Sequence, residues 1–270
     1  MPQPRGYEAN RVAAVVALAL IGAGFLSGCG ATRPKQAPLG DGEERIIGAR
    51  LVTVVRAENR SARDPMVTEY IQSLGERIAR LSDRPGIPYT FDVIADPVPR
   101  AFALPGGYLY VSTGLLARLD SEAEVAGVLS HGVAHVAQKH PMSRLLEVMG
   151  RSGVDAILES PRDGEITPAL RRGLETVLAG YPREIEREAD KLALLFTTRV
   201  GLNPEGMIQA MEKVNAASGS DGGFWEGLSG ATPEQLRRIA ALKAEVKSTG
   251  LDAGLTYNRE RYAPIKARLR

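Results

Sequence analysis

Three histidines are the residues of this chain best suited to chemistry, and they are the only three among its 270 residues. His131, His135 and His140 lie within ten positions of one another. His131 and His135 are four residues apart, which on a helix places both side chains on one face with Cβ atoms roughly 5 to 6 Å apart. Two imidazoles in that arrangement can bind one metal ion. His140 falls five residues further on, and on a continuous helix we expect it to point elsewhere.

Two acidic residues further along the chain can complete such a site. Glu186 and Asp190 are also four residues apart, in the stretch REIEREADKL, whose pattern predicts a helix. Two neutral imidazoles with one carboxylate leave Zn²⁺ a fourth, open position, which is typical of catalytic rather than structural zinc sites. Asp190 would then accept the remaining ring N–H of a ligand histidine in the second shell of contacts. The alternative is that REIEREAD forms a solvated, charged helix face.

The element that must position the histidines is a helix predicted over residues 121–140. Ser121 and Glu124 match a capping box, and apolar residues follow at helical spacing. The centre of this helix reads HGVAH, the spacing of H-E-x-x-H, in which the Glu acts as general base toward the attacking water. Gly132 occupies the position of that Glu, although glycine inside a helix costs about 1 kcal/mol relative to alanine. The alternative is a buried helix whose two histidines are ordinary core residues.

Four stretches, in this order, resemble the zinc metallopeptidases of family 48, which include the HtpX and BepA types and the CAAX prenyl endopeptidases. They are DPMVTEYIQSLGERIARL (64–81), AFALPGGYLYVSTGLL (101–116), HGVAH (131–135) and EREAD (186–190). The resemblance spans roughly residues 43–242. It implies an α+β, mainly α, gluzincin-type domain with a small β-hairpin or sheet beside the metal-binding helix, one Zn²⁺ and peptide-bond hydrolysis. It assigns the metal ligands to His131, His135 and Glu186.

A Pro-Gly-Gly sequence separates two extended runs, residues 101–104 and 108–112, and predicts a tight turn between two strands. In the family, this hairpin has an edge above the metal that receives the substrate as an added strand. Such an edge offers main-chain hydrogen bonds that depend little on side chains. The alternative is a purely structural hairpin. The residues expected to form the substrate edge are Gly107, Tyr108, Leu109 and Tyr110.

Further elements are expected around this core. Helices are predicted over residues 43–59, 65–81, 204–217 and 233–247, and a half-buried strand over residues 89–94. In several periplasmic relatives, a histidine just before the last of these helices can enter the open zinc position. Thr232 stands at the equivalent position here, and the three histidines are already placed elsewhere, so we expect no such switch.

The N-terminal residues have the features of a lipoprotein targeting segment. Arg5 and Arg11 accompany an apolar run over residues 12–26, which is shorter than the roughly 20 residues needed to span a bilayer. The run ends in LSGC, which resembles a bacterial lipobox and implies cleavage before Cys29 and lipidation of its thiol. An ordinary secretory signal with an incidental cysteine is the alternative. We therefore expect a signal peptide over 1–28, a lipidated tether over 29–42 and a single metallopeptidase-like domain over 43–270.

Charge and cysteine content limit the partners and the location. The chain has 34 basic and 32 acidic residues, so no basic excess is present to neutralise phosphates, and nucleic acid is not an expected partner. Cys29 is the only cysteine, which excludes an intramolecular disulfide. Gly30 after the cysteine resembles outer-membrane sorting. The expected partners are extended or unfolded envelope polypeptides and, through Cys29, the periplasmic face of the outer membrane.

Gly132 determines which function is expected. General acid–base catalysis contributes about 10² to 10⁴-fold, and glycine cannot supply it. Glu188 is two residues from Glu186 and is expected on another helix face. The first hypothesis is a zinc-binding peptidase homologue with weak or absent hydrolysis, acting as an adaptor or chaperone in outer-membrane protein quality control. The second is an endopeptidase that is active through another base or whose natural Glu has been replaced, and the third is a metal-free structural lipoprotein.

Overall fold

The computed structural model describes residues 39–161, 164–216 and 233–269. The expected signal peptide, Cys29, most of the tether and Thr232 lie outside the described residues. In chain order the described elements are α1 (Asp41–Glu58), α2 (Pro65–Arg80), β1 (Thr90–Ile94), β2 (Ala101–Leu104), β3 (Tyr108–Ser112), α3 (Thr113–Arg118), α4 (Glu122–Ala137), α5 (His140–Leu158), α6 (Pro168–Leu178), α7 (Arg183–Arg199), α8 (Glu205–Ala216), α9 (Pro233–Thr249) and α10 (Arg259–Ala267).

Helices dominate this part of the chain and accompany one small sheet, which confirms the mainly helical α+β prediction. Both strands of the predicted hairpin have the predicted bounds. Asp64 caps α2 by accepting a hydrogen bond from the Met66 amide, and Pro65 occupies the first helical position, where its missing N–H costs nothing. No helix within the described ranges is long and apolar enough to cross a membrane.

Helix α4 is the centre of the fold, and its residues are buried from Glu122 to Val136 on every face. A helix can be buried on all sides only when other elements surround it, and α4 packs against α2, α7, α8 and β2. The Ser121 hydroxyl caps its N-terminus by accepting from the Glu124 amide. Small residues allow close packing: a Cβ on Gly127 would overlap the backbone of Met207 in α8. The candidate ligands His131 and His135 are therefore held by a helix with little freedom to move.

The three strands form a sheet in the order β1–β3–β2. Strands β2 and β3 are antiparallel, with Phe102 opposite Tyr110, and β1 pairs in parallel with the other side of β3, with Phe91 opposite Leu109. The outer side of β1 is covered in part by the chain just before α2, since the Ala62 amide donates to the Val93 carbonyl at 2.7 Å. Strands β1 and β2 are therefore the two outer strands, and in the described part of the chain a bridge from Ser61 pairs the outer side of β1 whereas none pairs that of β2.

This order corrects the expected substrate edge. Strand β3 is central and has a strand on both sides, and the Gly107 carbonyl accepts from the Thr90 amide, so this run has no free edge to offer. The predicted residues Gly107, Tyr108, Leu109 and Tyr110 are therefore wrong as a substrate edge. The hairpin was predicted from local turn chemistry, whereas the pairing of β1 joins residues from separate parts of the chain. Strands β1 and β2 are the outer strands, and β2 also packs against α4.

Candidate metal centre

Helices α4 and α7 pack together and bring two pairs of polar residues face to face. His131 and His135 come from α4, and Glu186 and Asp190 come from α7, each pair four residues apart and each residue buried. The Nε2 atoms of the two histidines are 3.0 Å apart. The Glu186 carboxylate lies 3.5 Å from His131 Nε2 through Oε2 and 3.7 Å from His135 Nε2 through Oε1.

These three side chains fit one zinc ion. Tetrahedral ligands at about 2.0 to 2.1 Å from Zn²⁺ are roughly 3.3 Å from one another. The separations of 3.0 Å between the two Nε2 atoms, 3.5 Å to Glu186 Oε2 and 3.7 Å to Glu186 Oε1 lie near that value, and one donor atom from each of His131, His135 and Glu186 lies within 4.8 Å of the others. Two imidazole nitrogens and one carboxylate oxygen are donors that Zn²⁺ accepts, and the set leaves a fourth position open.

Asp190 lies behind His131, as its spacing from Glu186 predicted. Its Oδ1 is 3.1 Å from His131 Nδ1, so the carboxylate can accept the N–H of the ring nitrogen that faces away from the cluster. This contact sets the His131 tautomer that presents a lone pair at Nε2. The two ring nitrogens of His131 therefore have different surroundings, one suited to a metal and the other to a hydrogen bond.

Arg238 of α9 is a residue of this site that the sequence analysis missed. Its guanidinium donates to both carboxylate oxygens of Asp190 at 2.9 and 2.8 Å, and its Nη2 lies 2.9 Å from Glu186 Oε2. Arg238 is buried, so these are charge-assisted contacts with little solvent screening. The arginine thus orients Asp190 and contacts Glu186 through Oε2, the oxygen that also lies 3.5 Å from His131 Nε2. Forty-eight residues separate Arg238 from Asp190, and no local pattern connects them.

The pKa shifts follow from burial and from these contacts. Burial lowers the pKa of His131, but Asp190 and Glu186 outweigh it and raise the pKa above its ordinary value. Burial and the neighbouring His131 and His140 lower the pKa of His135 well below its ordinary value. Burial raises the pKa of Asp190, but His131 and Arg238 more than compensate and lower it. The Asp190 carboxylate is therefore charged and the His135 ring is neutral. These protonation states suit a zinc site, in which a ligand histidine must be neutral.

His140 corrects a second expectation, because it does not point away from the cluster. The predicted helix over 121–140 ends at Ala137, and α5 begins at His140 after a reversal at Lys139. This reversal places His140 Nδ1 3.1 Å from His135 Nδ1. Glu188 lies away from the ligand atoms, with Oε2 at 3.5 Å from His140 Nε2.

Tyr181, just before α7, lies against the same ring. Its ring stacks on that of His135 with centroids 4.3 Å apart and an interplanar angle of 25°. Burial raises the pKa of this phenol, so it is neutral. The ring of His135 is thus held on one face by an aromatic side chain that the sequence analysis did not identify.

Gly132 lies between the two histidines in α4 and is buried. It has no side chain that could accept a proton. Among the described residues, the carboxylates nearest the three ligands are Asp190 and Glu188, and these contact His131 and His140 rather than a position beside Gly132. The site has a complete set of candidate ligands and no carboxylate at the general-base position of H-E-x-x-H.

Comparison with known proteins agrees with this geometry. The sequence profile of peptidase family M48 matches residues 65–246, well over half of the chain. The chain belongs to peptidase family M48. M48 peptidases are zinc-dependent metallopeptidases, which accords with the donor set of His131, His135 and Glu186. Helices α1 and α10 lie outside the matched residues.

Similar M48 proteins are longer than this chain. The beta-barrel assembly-enhancing protease of Escherichia coli K12 is 29% identical over 185 residues, which cover 64% of this chain and 38% of that protein. The mitochondrial metalloendopeptidase OMA1 of Schizosaccharomyces pombe is 29% identical over 158 residues, covering 57% of this chain and 46% of its own length. The OMA1 of Arabidopsis thaliana is 32% identical over 143 residues, or 52% of this chain and 29% of that protein. The aligned region is thus less than half of each relative.

Proposed function

We propose that this M48 protein binds one zinc ion and extended polypeptides, and that it hydrolyses them weakly or not at all. The observation that carries the proposal is Gly132, which lies on α4 between two histidines whose Nε2 atoms are 3.0 Å apart. The ligand set is present while the group that would move protons is missing. Binding of metal and binding of polypeptide therefore remain available, and the chemical step is impaired.

The described residues indicate which parts of the catalytic machinery remain without a general base at position 132. His131, His135 and Glu186 would hold zinc, and Asp190 and Arg238 would orient two of these ligands. When bound, zinc supplies Lewis-acid polarisation of a peptide carbonyl and lowers the pKa of water. Hydrolysis also requires a group that takes a proton from water and gives one to the leaving amine. Loss of that group costs about 10² to 10⁴-fold, or roughly 3 to 5 kcal/mol of barrier.

Restoring the acid tests this part of the proposal. We expect Gly132→Glu to raise turnover of unfolded casein by about 10² to 10⁴-fold over the natural sequence, with zinc present in both proteins. Gly132→Gln is the matched control, since it adds a side chain of the same size that cannot act as the base. If the natural protein already cleaves casein as fast as Gly132→Glu, the chain is an active endopeptidase and the proposal is wrong.

Metal analysis tests the proposal that the protein binds zinc. The purified protein should contain zinc near one equivalent, and Glu186→Gln should lower that content. Glu184→Gln is the control, because Glu184 is an exposed acid in the first turn of the same helix. Absence of zinc from the natural protein would instead favour the metal-free structural lipoprotein.

Polypeptide binding is proposed at β2. The Ser112 amide donates to the Arg100 carbonyl at 2.9 Å, so residues 100, 102 and 104 direct their backbone groups toward β3. By alternation, the N–H and C=O groups of Ala101 and Ala103 face the side of β2 that no described strand pairs. All four residues of β2 are buried, and α5 and α6 also contact this strand, so an extended chain would add there as a further strand beside α4 by displacing part of this cover.

Proline at position 103 tests this site. Ala103→Pro removes an outward N–H and no β2–β3 hydrogen bond, so the hairpin should survive while binding of fluorescent casein to the zinc-loaded protein weakens about tenfold. Ala103→Ser retains the N–H and should bind normally. Unchanged binding by Ala103→Pro with an unchanged melting temperature would place the polypeptide elsewhere.

The cellular setting is proposed from the N-terminal sequence and the relatives. A chain that is 29% identical to a beta-barrel assembly-enhancing protease suits a role on envelope polypeptides, as an adaptor or chaperone in their quality control. LSGC at residues 26–29 supports a lipid anchor on Cys29 at the periplasmic face of the outer membrane. Incorporation of labelled fatty acid should be lost in Cys29→Ala. Incorporation that persists in this variant would exclude Cys29 as the anchor.

A further inference from the structure

We infer that His140 is a positioning residue for the candidate zinc ligand His135. His140 Nδ1 accepts a hydrogen bond from the Nδ1–H of His135 and so holds the His135 ring in place. The inference rests on the zinc site proposed above. The observation behind it is the distance of 3.1 Å between the Nδ1 atoms of His135 and His140, both of which are buried.

The ring nitrogens of His135 have separate surroundings. Its Nε2 faces His131 and Glu186 at 3.0 and 3.7 Å, on the side where the donor atoms converge. Its Nδ1 faces His140. For Nε2 to present a lone pair to a metal, Nδ1 must carry the proton, and that proton then points at the His140 ring. The contact therefore favours the tautomer that binds zinc.

His140 Nδ1 can accept this hydrogen bond only if the proton of the neutral His140 ring is on Nε2. Glu188 Oε2 lies 3.5 Å from that atom and can accept it. Because Glu188 lies on the exposed side of α7, the contacts run from His135 through His140 to a carboxylate at the surface. In this arrangement His135 donates to His140 and His140 donates to Glu188. The reverse direction is excluded, because the Glu188 carboxylate has no proton to donate.

The backbone at Lys139 makes this contact possible. On a continuing helix, residue 140 would be rotated about 140° from residue 135, away from its ring. Lys139 instead adopts a left-handed conformation with φ 57° and ψ 25°, which is unusual for a residue with a side chain. Its ammonium lies 2.8 Å from Asp41 Oδ1 in α1, which helps to hold the reversal. The fold thus turns the chain back at this point and places His140 against α4.

The two candidate histidine ligands are then held in different ways. Asp190 lies 3.1 Å from Nδ1 of His131, and His140 lies at the same distance from Nδ1 of His135. One ligand has a charged carboxylate behind it and the other a neutral ring. A group that orients a ligand in this manner typically changes metal affinity by about 10 to 100-fold when it is removed.

Zinc affinity of the full-length protein, measured by competition with a chromophoric chelator, tests the role of His140. His140→Leu removes the acceptor and should weaken zinc binding by about 10 to 100-fold. His140→Asn has nearly the same shape as the Leu variant and places an amide oxygen near the former Nδ1, so its affinity should stay within about threefold of the natural protein. Equal losses in both variants, or no loss in either, would overturn the inference.

Glu188 provides a second test that does not disturb the interior. Glu188→Ala should weaken zinc binding by a smaller factor, about two- to fivefold, and should have no further effect once His140 is Leu. Glu184→Ala removes the same charge from the same helix and should leave the affinity unchanged. Additive losses for His140→Leu and Glu188→Ala would show that the two residues do not act in series. Failure of the natural protein to bind zinc would instead reject the proposed function, which is a separate result.

Discussion

Two polar clusters of this protein differ in their charge balance, one buried at the candidate metal centre and one at the surface end of α1, where the side chains of Asp41 and Lys139 are 55% and 41% exposed. The centre cluster contains Glu186 and Asp190 with one arginine, Arg238, beside the rings of His131 and His135. The α1 cluster contains two carboxylates and two cations, which contact one another at 2.6 to 3.7 Å: Asp41, Glu44, Arg84 and Lys139. Leaving the imidazoles aside, the centre cluster has one more carboxylate than it has cations, whereas the α1 cluster has equal numbers of the two.

The difference shows how a site for a cation can be told from a structural contact. In the α1 cluster, Arg84 donates to both oxygens of Glu44 at 3.1 and 2.7 Å, and the Gly106 amide donates to Oε1, so α1 is joined to the turn before β3. Its charges are matched by protein groups. In the centre cluster, donor atoms of His131, His135 and Glu186 converge, and the carboxylates outnumber the arginine by one, which raises the pKa of His131 and favours a bound cation. A buried cluster with that excess is stabilised by a cation, while a matched cluster needs none.

The largest effect is expected from removing Arg238. Arg238→Met leaves two buried carboxylates without their guanidinium, so the metal-free protein should lose about 3 to 5 kcal/mol of unfolding free energy. Zinc should restore more stability to this variant than to the natural protein, because it would supply the missing positive charge. Thermal melting with a chelator and with zinc measures both quantities. Arg237→Met changes an exposed neighbour and serves as the control. Equal losses with and without zinc would contradict the cation interpretation.

Arg84 tests the matched cluster in the same way. Arg84→Met removes charge-assisted hydrogen bonds to Glu44 while Lys139 remains 3.7 Å away, so the expected loss is about 1.5 to 3 kcal/mol. Zinc affinity should stay within a few-fold of the natural value, since no ligand is touched. Chemical denaturation and chelator competition give the two numbers, with the exposed Arg80→Met as control. A large loss of zinc affinity would show that the two clusters are not independent.

The packing of α1 against the hairpin turn predicts a somewhat smaller effect. A Cβ on Gly48 would overlap the Pro105 carbonyl oxygen, so Gly48→Ala should cost about 1 to 3 kcal/mol by forcing α1 away from the turn. Gly42→Ala lies in the same helix, where a Cβ meets nothing within 4 Å, and should not destabilise the protein. Denaturant midpoints compare the pair. Similar midpoints would mean that α1 moves freely relative to the turn.

The smallest effect on stability is expected at Asp120, which forms a partly exposed cluster with Lys213 and Lys266. Lys213 and Lys266 lower the pKa of Asp120 to about 2, below its value of 3.8 in an unfolded chain. The stabilisation by this carboxylate is therefore complete above about pH 4 and is lost as the pH falls toward 2. Because Asp120 is half exposed, Asp120→Asn should cost less than about 1 kcal/mol at pH 6 and nothing near pH 2. Melting temperatures at both pH values test the sign, and a cost that grows on acidification would contradict it.

Much of the candidate site could be predicted because it depends on short spacings. His131 with His135, and Glu186 with Asp190, are pairs on adjacent turns of one helix, and a helix places such residues together wherever it packs. The bounds of β2 and β3 follow from a Pro-Gly-Gly turn between two extended runs. The absence of an acid at position 132 is also visible in the sequence itself.

The errors concern contacts between distant segments. Strand β3 was expected to offer an edge because its hairpin is local, but β1 pairs with it in parallel, so the outer strands are β1 and β2. His140 was expected to face away because the helical pattern was continued through Lys139. Pro141, in the first turn of α5, is a local signal for a helix break that the sequence analysis did not use, whereas the contact of Lys139 with Asp41, 98 residues earlier, is not visible locally.

The sequence by itself determined which residues could bind a metal, the likeness to family 48 and the missing base, because residue identity and helical spacing are properties of single segments. Tertiary structure alone decided that Arg238 braces Glu186 and Asp190, that His140 backs His135, and which strands are the outer ones. Those contacts depend on packing between elements that lie far apart along the chain. Packing free energy is a property of the whole core, and no single segment encodes it.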